Sequence, residues 1–532
     1  YDDLVEDWAT CHATLQSILN DVSGHVVAPE GTQFMVFNPL SWSRIARIFI
    51  PASILDEEIA LDPEGRPPAA VLELLGASSR RVPAQPVAAD PEGWKEPRPA
   101  GWWAVANLES LSVTPARIIL GEEDGIALTA DAVAPHLDNG ILRVELDPST
   151  GGIATMVSTL VPTIENLVQG SLNNLTEAYE DKSKAWPAWN ITPRYWEFPV
   201  AMPNDQDVAI VLRDCGPVFA TLDVTRTLGA DQSPVMQRYT VFKDCPELFC
   251  EYVADWQTPM VMLKLGIDTT TGATRCTADI TYGAAERSTV PVTPADKARI
   301  EKICHKYYDV STPDDAWGVA TLNEGKYAFD ANEGRTRVTM LRSPPYPDPA
   351  SESWTRKERQ ARLEKDGTKV PTHSGLGPFR CRYAYLPHAG GGLRTPEGKP
   401  NPAVKHAAEE FNTPVLVVKL PQDNTDAEGL VVDGAPFVEV SVPNIAVTVI
   451  KANEWELNGN LLMRVVETLG QDGEADITLG QSMAKNIAGI REVDLLERVD
   501  GCVPAANIPR RGASFHVSLH KFEIKTFELV LT

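Results

Sequence analysis

Apolar positions along the chain follow two rhythms. From Leu4 through Trp8, Cys11, Leu15 and Ile18 to Val22 they step by four and three residues, with polar residues between. That spacing predicts one amphipathic helix with a narrow apolar seam, stopped at Gly24. A seam this narrow belongs between packed helices, yet no later segment repeats it, and the chain opens on Tyr1 rather than Met. We therefore expect this helix to be the last of a bundle whose other members precede it.

After Gly24 the rhythm changes to short runs rich in β-branched and aromatic residues. Examples are Gln33–Phe37, Ile45–Ile50, Ile141–Leu146, Phe219–Val224, Val415–Leu420, Val438–Val442 and Ala446–Ile450. Phe515, Val517 and Leu519 alternate with His516, Ser518 and His520 in the C-terminal tail. Forty-two prolines and thirty-six glycines interrupt the chain too often for long helices. Many short strands punctuated by turns predict antiparallel sandwiches. No fixed-period repeat points to a propeller or solenoid. We place breaks after 24, 120 and 425, giving the helix 1–24, a small sandwich 25–120, a large one 121–425 and a C-terminal one 426–532. Residues 351–373 form a charge-dense stretch that we read as a solvated surface insertion. Residues 296–307 carry helix-like spacing at Ile300, Ile303 and Tyr307.

Charge narrows the partners. Seventy-three acidic against forty-eight basic residues give a net charge of -25. Such a surface repels phosphate backbones and anionic membranes, so neither nucleic acid nor membrane is an expected partner. A neutral ligand such as a sugar fits. No apolar run approaches the roughly 18 residues a membrane helix needs. The eight cysteines form no CxxC pair and no dense framework, which predicts free thiols in a reducing, cytoplasmic setting. Asn174-Leu-Thr and Asn190-Ile-Thr match the glycosylation sequon but are weak signals in so long a chain.

Several apparent motifs fail on physical grounds. His516 and His520 would lie roughly 13 Å apart on a strand, too far to share a metal. His136-Leu-Asp138 precedes the turn signal Asn139-Gly140 without further ligands, so we read a loop histidine. Cys245 and Cys250 read as buried thiols, and Gly390-Gly-Gly392 as a flexible turn. What stands out is aromatic. Residues 186–196 read Trp-Pro-Ala-Trp-Asn-Ile-Thr-Pro-Arg-Tyr-Trp, three of the chain's twelve tryptophans. A tryptophan face packs on the C–H face of a pyranose, while Asn and Arg hydrogen-bond its hydroxyls. The opposing reading is that these rings anchor a long loop to the sheet; Trp102-Trp103 reads as structural.

Taken in order, the segments resemble the C-terminal half of the family-38 α-mannosidases, in particular the cytosolic and vacuolar class. Val36-Phe-Asn-Pro-Leu-Ser-Trp-Ser-Arg44 resembles the opening of their first β domain, and Asn139-Gly-Ile-Leu-Arg-Val-Glu-Leu-Asp147 the entry to their large sandwich. Asp255-Trp256, Tyr282-Gly-Ala-Ala-Glu-Arg-Ser-Thr289, Gly318-Val-Ala-Thr-Leu-Asn323 and Leu341-Arg-Ser-Pro344 continue the series. Pro347-Asp-Pro349, Tyr385-Leu-Pro-His388, Phe411-Asn-Thr-Pro414, Arg464-Val-Val-Glu-Thr468 and Phe522-Glu-Ile-Lys-Thr526 complete it.

The resemblance implies a large galactose-mutarotase-like supersandwich and strand, not helix, near 300. It implies that zinc, its His and Asp ligands and the aspartate nucleophile belong to an upstream catalytic domain. This chain alone is then expected to hold no cofactor and to be inactive. Its expected partners are its own catalytic domain, a carbohydrate (a mannoside or related sugar), and further copies in a homo-oligomer. Trp186, Trp189, Asn190, Arg287 and Arg342 are the residues expected to form one wall of the sugar cleft. The family's Trp-Asp-Ala-Trp-Asp reads Trp186-Pro-Ala-Trp-Asn190 here, without either acid, which unsettles the sugar specificity. A stand-alone carbohydrate-binding or scaffold protein is the alternative, and a self-sufficient hydrolase using its own carboxylates a third.

Overall fold

The computed structural model describes all residues except 1, 56–58, 77–78, 93, 95–96, 122–124, 184–185, 193, 346–372, 422–428, 455–458 and 499–505. Pro347-Asp-Pro349 and nearly all of the charged stretch 351–373 lie outside the described residues. The fold is mainly β and antiparallel, as the alternation predicts.

The helix Asp2–Ser23 forms as expected. The side chains of Leu4 and Trp8 are not described, but Leu15, Ile18 and Val22 are 60%, 52% and 56% exposed. The seam is therefore apolar and uncovered where it is described, and a stripe of this kind is stable only against a partner.

The first sandwich is a seven-stranded sheet built from strands between Phe34–Asn38 and Ser112–Leu120. Its seventh strand, Leu416–Lys419, arrives from far along the chain and pairs with Phe34–Phe37. Alternation in Arg44–Pro51 sends Ala46, Ile48 and Ile50 into a core with Trp102 and Leu72. The large sandwich packs nine-, six- and four-stranded sheets around one core that includes Trp256, Tyr239 and Leu265. In the C-terminal sandwich a four- and a five-stranded sheet close over Val465, Ile477, Phe515 and Phe527.

The sequence motifs lock these units. The Asn38 side chain donates to the Trp42 and Glu109 carbonyls at 3.0 and 2.7 Å, closing the turn after the first strand. Trp42 then stacks on His406, with ring centres 4.0 Å apart, and its indole N–H donates to Glu410 at 2.8 Å. Arg44 donates to the Thr413 carbonyl at 3.0 Å. Two motifs more than 350 residues apart in sequence thus bind the helix Ala403–Asn412 to the first sheet. In the C-terminal sandwich, buried Glu467 accepts the backbone N–H groups of Leu469, Gly470 and Phe522, so its two motifs also meet.

Some local readings change. The stretch 296–307 is neither one helix nor one strand. Thr293 caps the single helical turn Pro294–Ala298, after which the chain extends as Glu301–Ile303 and Tyr307–Ser311. His136-Leu-Asp138 is a short strand, not a loop, with His136 Nδ1 2.9 Å from the Ala134 carbonyl. Gly390-Gly-Gly392 is not a loose turn. A Cβ on these three would meet Asn401, Asp315 and Asp309 at 2.5, 2.3 and 2.6 Å, so glycine there is a packing requirement. Cys245 and Cys250 are buried, and the seven described cysteines are all free. Asn174 is fully buried, its side-chain oxygen accepting from the Tyr383 and Tyr385 hydroxyls, which closes that sequon to modification.

Candidate functional site

The tryptophan loop joins the strand Glu177–Glu180 to Pro199–Val200 on one edge of the six-stranded sheet. Its tip turns at Trp186, where φ is 53° and the carbonyl accepts the N–H groups of Trp189 and Asn190 at 2.9 and 2.8 Å. Pro187 suits the second position of such a turn. The two indoles meet edge to face with ring centres 5.9 Å apart and remain 51% and 66% exposed. Two large aromatic faces held towards solvent are costly in water unless something covers them.

Arg342 holds this tip in place. It ends the strand Arg335–Arg342, and its Nε and Nη2 fork the Asp181 carboxylate at 2.9 and 2.8 Å. The same Nη2 reaches the carbonyls of Pro187 and Asn190 at 2.8 and 2.7 Å. Arg342, Trp186, Trp189 and Asn190 therefore form one unit. Arg287 does not join it: it lies on the edge strand Gly283–Ser288 of the nine-stranded sheet and donates to the Ile303 carbonyl at 3.2 Å.

Beneath the loop lies a charged cluster that sequence reading missed. Lys264, whose side chain is fully buried, donates to Glu301, Thr339 and Asp330 at 2.8–2.9 Å. Arg337 joins Asp330 to Glu177 at 3.0 Å each, and Arg335 also binds Glu177. Tyr195, buried under the loop, donates to Asp330 at 2.9 Å and Glu301 at 3.1 Å. Three cations balance three carboxylates. Burial alone would raise the Asp330 carboxyl, but Lys264 and Arg337 outweigh it and hold its pKa down at about 2. Burial raises the Tyr179 phenol to about 12, and Tyr195 higher still.

Glu301 and Asp330 share one ammonium, so they are close enough to be mistaken for a hydrolytic pair. They are consumed by Lys264, Arg337 and Tyr195. The only trace in sequence is the alternation Arg335, Arg337, Thr339 against Thr336, Val338, Met340, which marks a polar face without naming its partners. Among the described residues no group of three or more His, Cys, Asp or Glu side chains could hold a metal. Zinc therefore does not fit the described residues. His516 and His520 bind separate acids, Asp476 at 3.0 Å and Asp472 at 3.5 Å.

This β architecture is shared with known proteins. Residues 137–350 match the glycosyl hydrolases family 38 C-terminal domain, and residues 444–527 the family 38 C-terminal beta sandwich domain. The chain is 23% identical over 447 residues to alpha-mannosidase 2C1 of Mus musculus, covering 82% of this chain and 38% of the mouse protein. It is 26% identical over 215 residues to alpha-mannosidase G of Dictyostelium discoideum, covering 40% of this chain and 19% of that protein. A solved alpha-mannosidase from Enterococcus faecalis V583 superposes with a TM-score of 0.60 at 16% identity, over 99% of this chain and 58% of that one. A glycosyl hydrolase family 38 protein from Enterococcus faecalis gives 0.62 at 15%, over 96% and 59%, and these two likenesses speak for the fold alone. The chain belongs to glycosyl hydrolase family 38, whose C-terminal domains it carries. It spans little more than a third of the mouse α-mannosidase it matches.

Proposed function

We propose that this chain buttresses the catalytic domain of an α-mannosidase that hydrolyses terminal α-mannosides, and that its tryptophan loop supplies one wall of the sugar cleft. The observation that carries this is the pinned tip: Trp186 and Trp189 are exposed, yet Arg342 bonds the Pro187 and Asn190 carbonyls beside them while forking Asp181. A loop that served only to anchor itself would bury its rings. Trp186 and Trp189 stack on the sugar, Asn190 lies at the rim, and Arg342 positions all three. Arg287 would serve a sugar only at a separate edge. Zinc, its ligands and the nucleophile belong to the catalytic domain in this proposal, and the uncovered seam of Asp2–Ser23 is the surface through which that part docks. The divisions 25–120, 121–425 and 426–532 are the proposed units, with Leu416–Lys419 lent to the first. Free thiols at the seven described cysteines favour a reducing, cytoplasmic setting.

Titrating mannose into the chain while following tryptophan emission tests the wall. A saturable change that disappears in Trp186→Ala and Trp189→Ala is expected. An unaltered response in both variants would make the rings structural. Aryl α-mannosides with zinc should give no turnover from this chain alone, and robust turnover would overturn the division of labour.

A further inference from the structure

A cavity lies away from the tryptophan loop. A cleft of about 840 Å³ opens between the first sheet, the nine-stranded sheet and the helix Ala403–Asn412. It follows from the alternation in Arg44–Pro51: while Ala46, Ile48 and Ile50 enter the domain core, Arg47 and Phe49 face the other way. Trp103, Phe242 and Phe249 complete an aromatic floor, Trp103 to Phe242 at 5.2 Å and Phe242 to Phe249 at 5.4 Å between ring centres.

Most arginines entering this cleft are consumed. Arg98, Arg238 and Arg380 all hold Asp90, at 3.1–3.3 Å, and Arg382 forks Glu324 at 2.6 and 2.7 Å. Arg47 differs. Its guanidinium lies 3.7 Å over the Phe249 ring, and among the described residues it makes no hydrogen bond or ion pair. Arg44, only 7% exposed, also lines the cleft. It spends Nη1 on the Thr413 carbonyl, while Nε and Nη2 are buried without a partner. Burying an unpaired guanidinium is costly unless an anion compensates it. The carboxyls of Glu247 and Glu410 lie near these guanidiniums, but among the described residues neither bonds to Arg44 or Arg47, and Glu410 accepts instead from the Trp42 indole.

We propose that this cleft binds a small organic anion, its carboxylate or phosphate forked by Arg47 and its ring laid on the floor of Phe49, Trp103 and Phe242. A guanidinium stacked on an aromatic face keeps its N–H edge free for bidentate oxyanion recognition. The volume suits a monosaccharide or disaccharide body. Arg44 stands behind as a second positive charge. The site is independent of the tryptophan loop and does not rest on it.

Calorimetric titration of the whole chain tests this, with mannose 6-phosphate, glucuronic acid, mannose and inorganic phosphate as probes. One of the two anionic sugars should bind saturably at one site and raise the melting temperature, and which of them binds more tightly identifies the oxyanion. Arg47→Gln should weaken that binding by about tenfold or more without lowering the melting temperature of the free chain. Arg47→Lys should fail to restore it, since an ammonium cannot fork. Saturation by neither anionic sugar, equal binding of mannose, or unchanged affinity in Arg47→Gln would each overturn the site. Inorganic phosphate binding as tightly as mannose 6-phosphate would overturn the role of the aromatic floor.

Discussion

Arg342 and Asp181 form a two-toothed ion pair, 2.9 and 2.8 Å, at the junction of a central strand and the tryptophan loop. Asp181 is 1% exposed as a side chain, so its charge has no water to turn to if the arginine is removed. Arg342→Ala should cost roughly 3–5 kcal/mol, the range for breaking a buried pair from one side. Arg342→Lys should recover only part, because one ammonium cannot serve a carboxylate and two carbonyls in that geometry. Urea unfolding followed by tryptophan emission measures both. A loss within the error of the wild type would mean the loop is held by its other contacts.

Asp330 gives the clearest acid sensitivity. Its folded pKa of about 2 lies below its ordinary 3.8, so the unfolded chain binds its proton first as pH falls. Its contribution is present above pH 3.8 and is lost as pH drops towards 2. Asp330→Asn should be less stable than wild type at neutral pH, and that gap should narrow steadily below pH 4. Denaturation midpoints across this range are the measurement, and a constant gap would contradict the ion-pair account.

His406 titrates in a different window. Desolvation beneath Trp42 lowers its pKa from 6.5 to about 4, although a hydrogen bond to the Pro443 carbonyl opposes this. Between those values the unfolded chain takes up a proton that the folded chain refuses, so stability should rise with pH from 4 to 6.5. His406→Gln should flatten that part of the profile. An equal slope in the variant would assign the dependence to other groups.

Gly318 tests the packing beside His388. A Cβ there would sit 2.6 Å from Ser311 Oγ and 2.7 Å from His388 Nε2. Those side chains both bind Asp309, at 2.6 and 2.8 Å, and all three are buried. Gly318→Ala should therefore cost about 1–3 kcal/mol by overpacking. The thermal midpoint reports it, and a neutral substitution would show that the cluster can shift.

The strands were readable because their alternation is a local property of each segment. All seven named runs form strands, and the helix before Gly24 forms where its spacing places it. The 296–307 stretch was ambiguous because twelve residues hold too few periods to separate a capped turn from a strand. Trp186, Trp189, Asn190 and Arg342 were legible as a unit only in part: the aromatic cluster is written in consecutive residues, but the arginine that holds it lies more than 150 residues away. Nothing local distinguishes Arg342 from Arg287, and only one of them meets the loop.

By itself, the sequence determined the class of fold and the place of the aromatic loop, since each depends on neighbours along the chain. Tertiary structure alone decided that Arg342 pins that loop, that Lys264, Arg335 and Arg337 neutralise Glu177, Glu301 and Asp330, and that Trp42 finds His406. Those are pairings between distant strands, and a side chain's charge or ring shows what it needs but not which of many suitable partners the sheet order will bring to it.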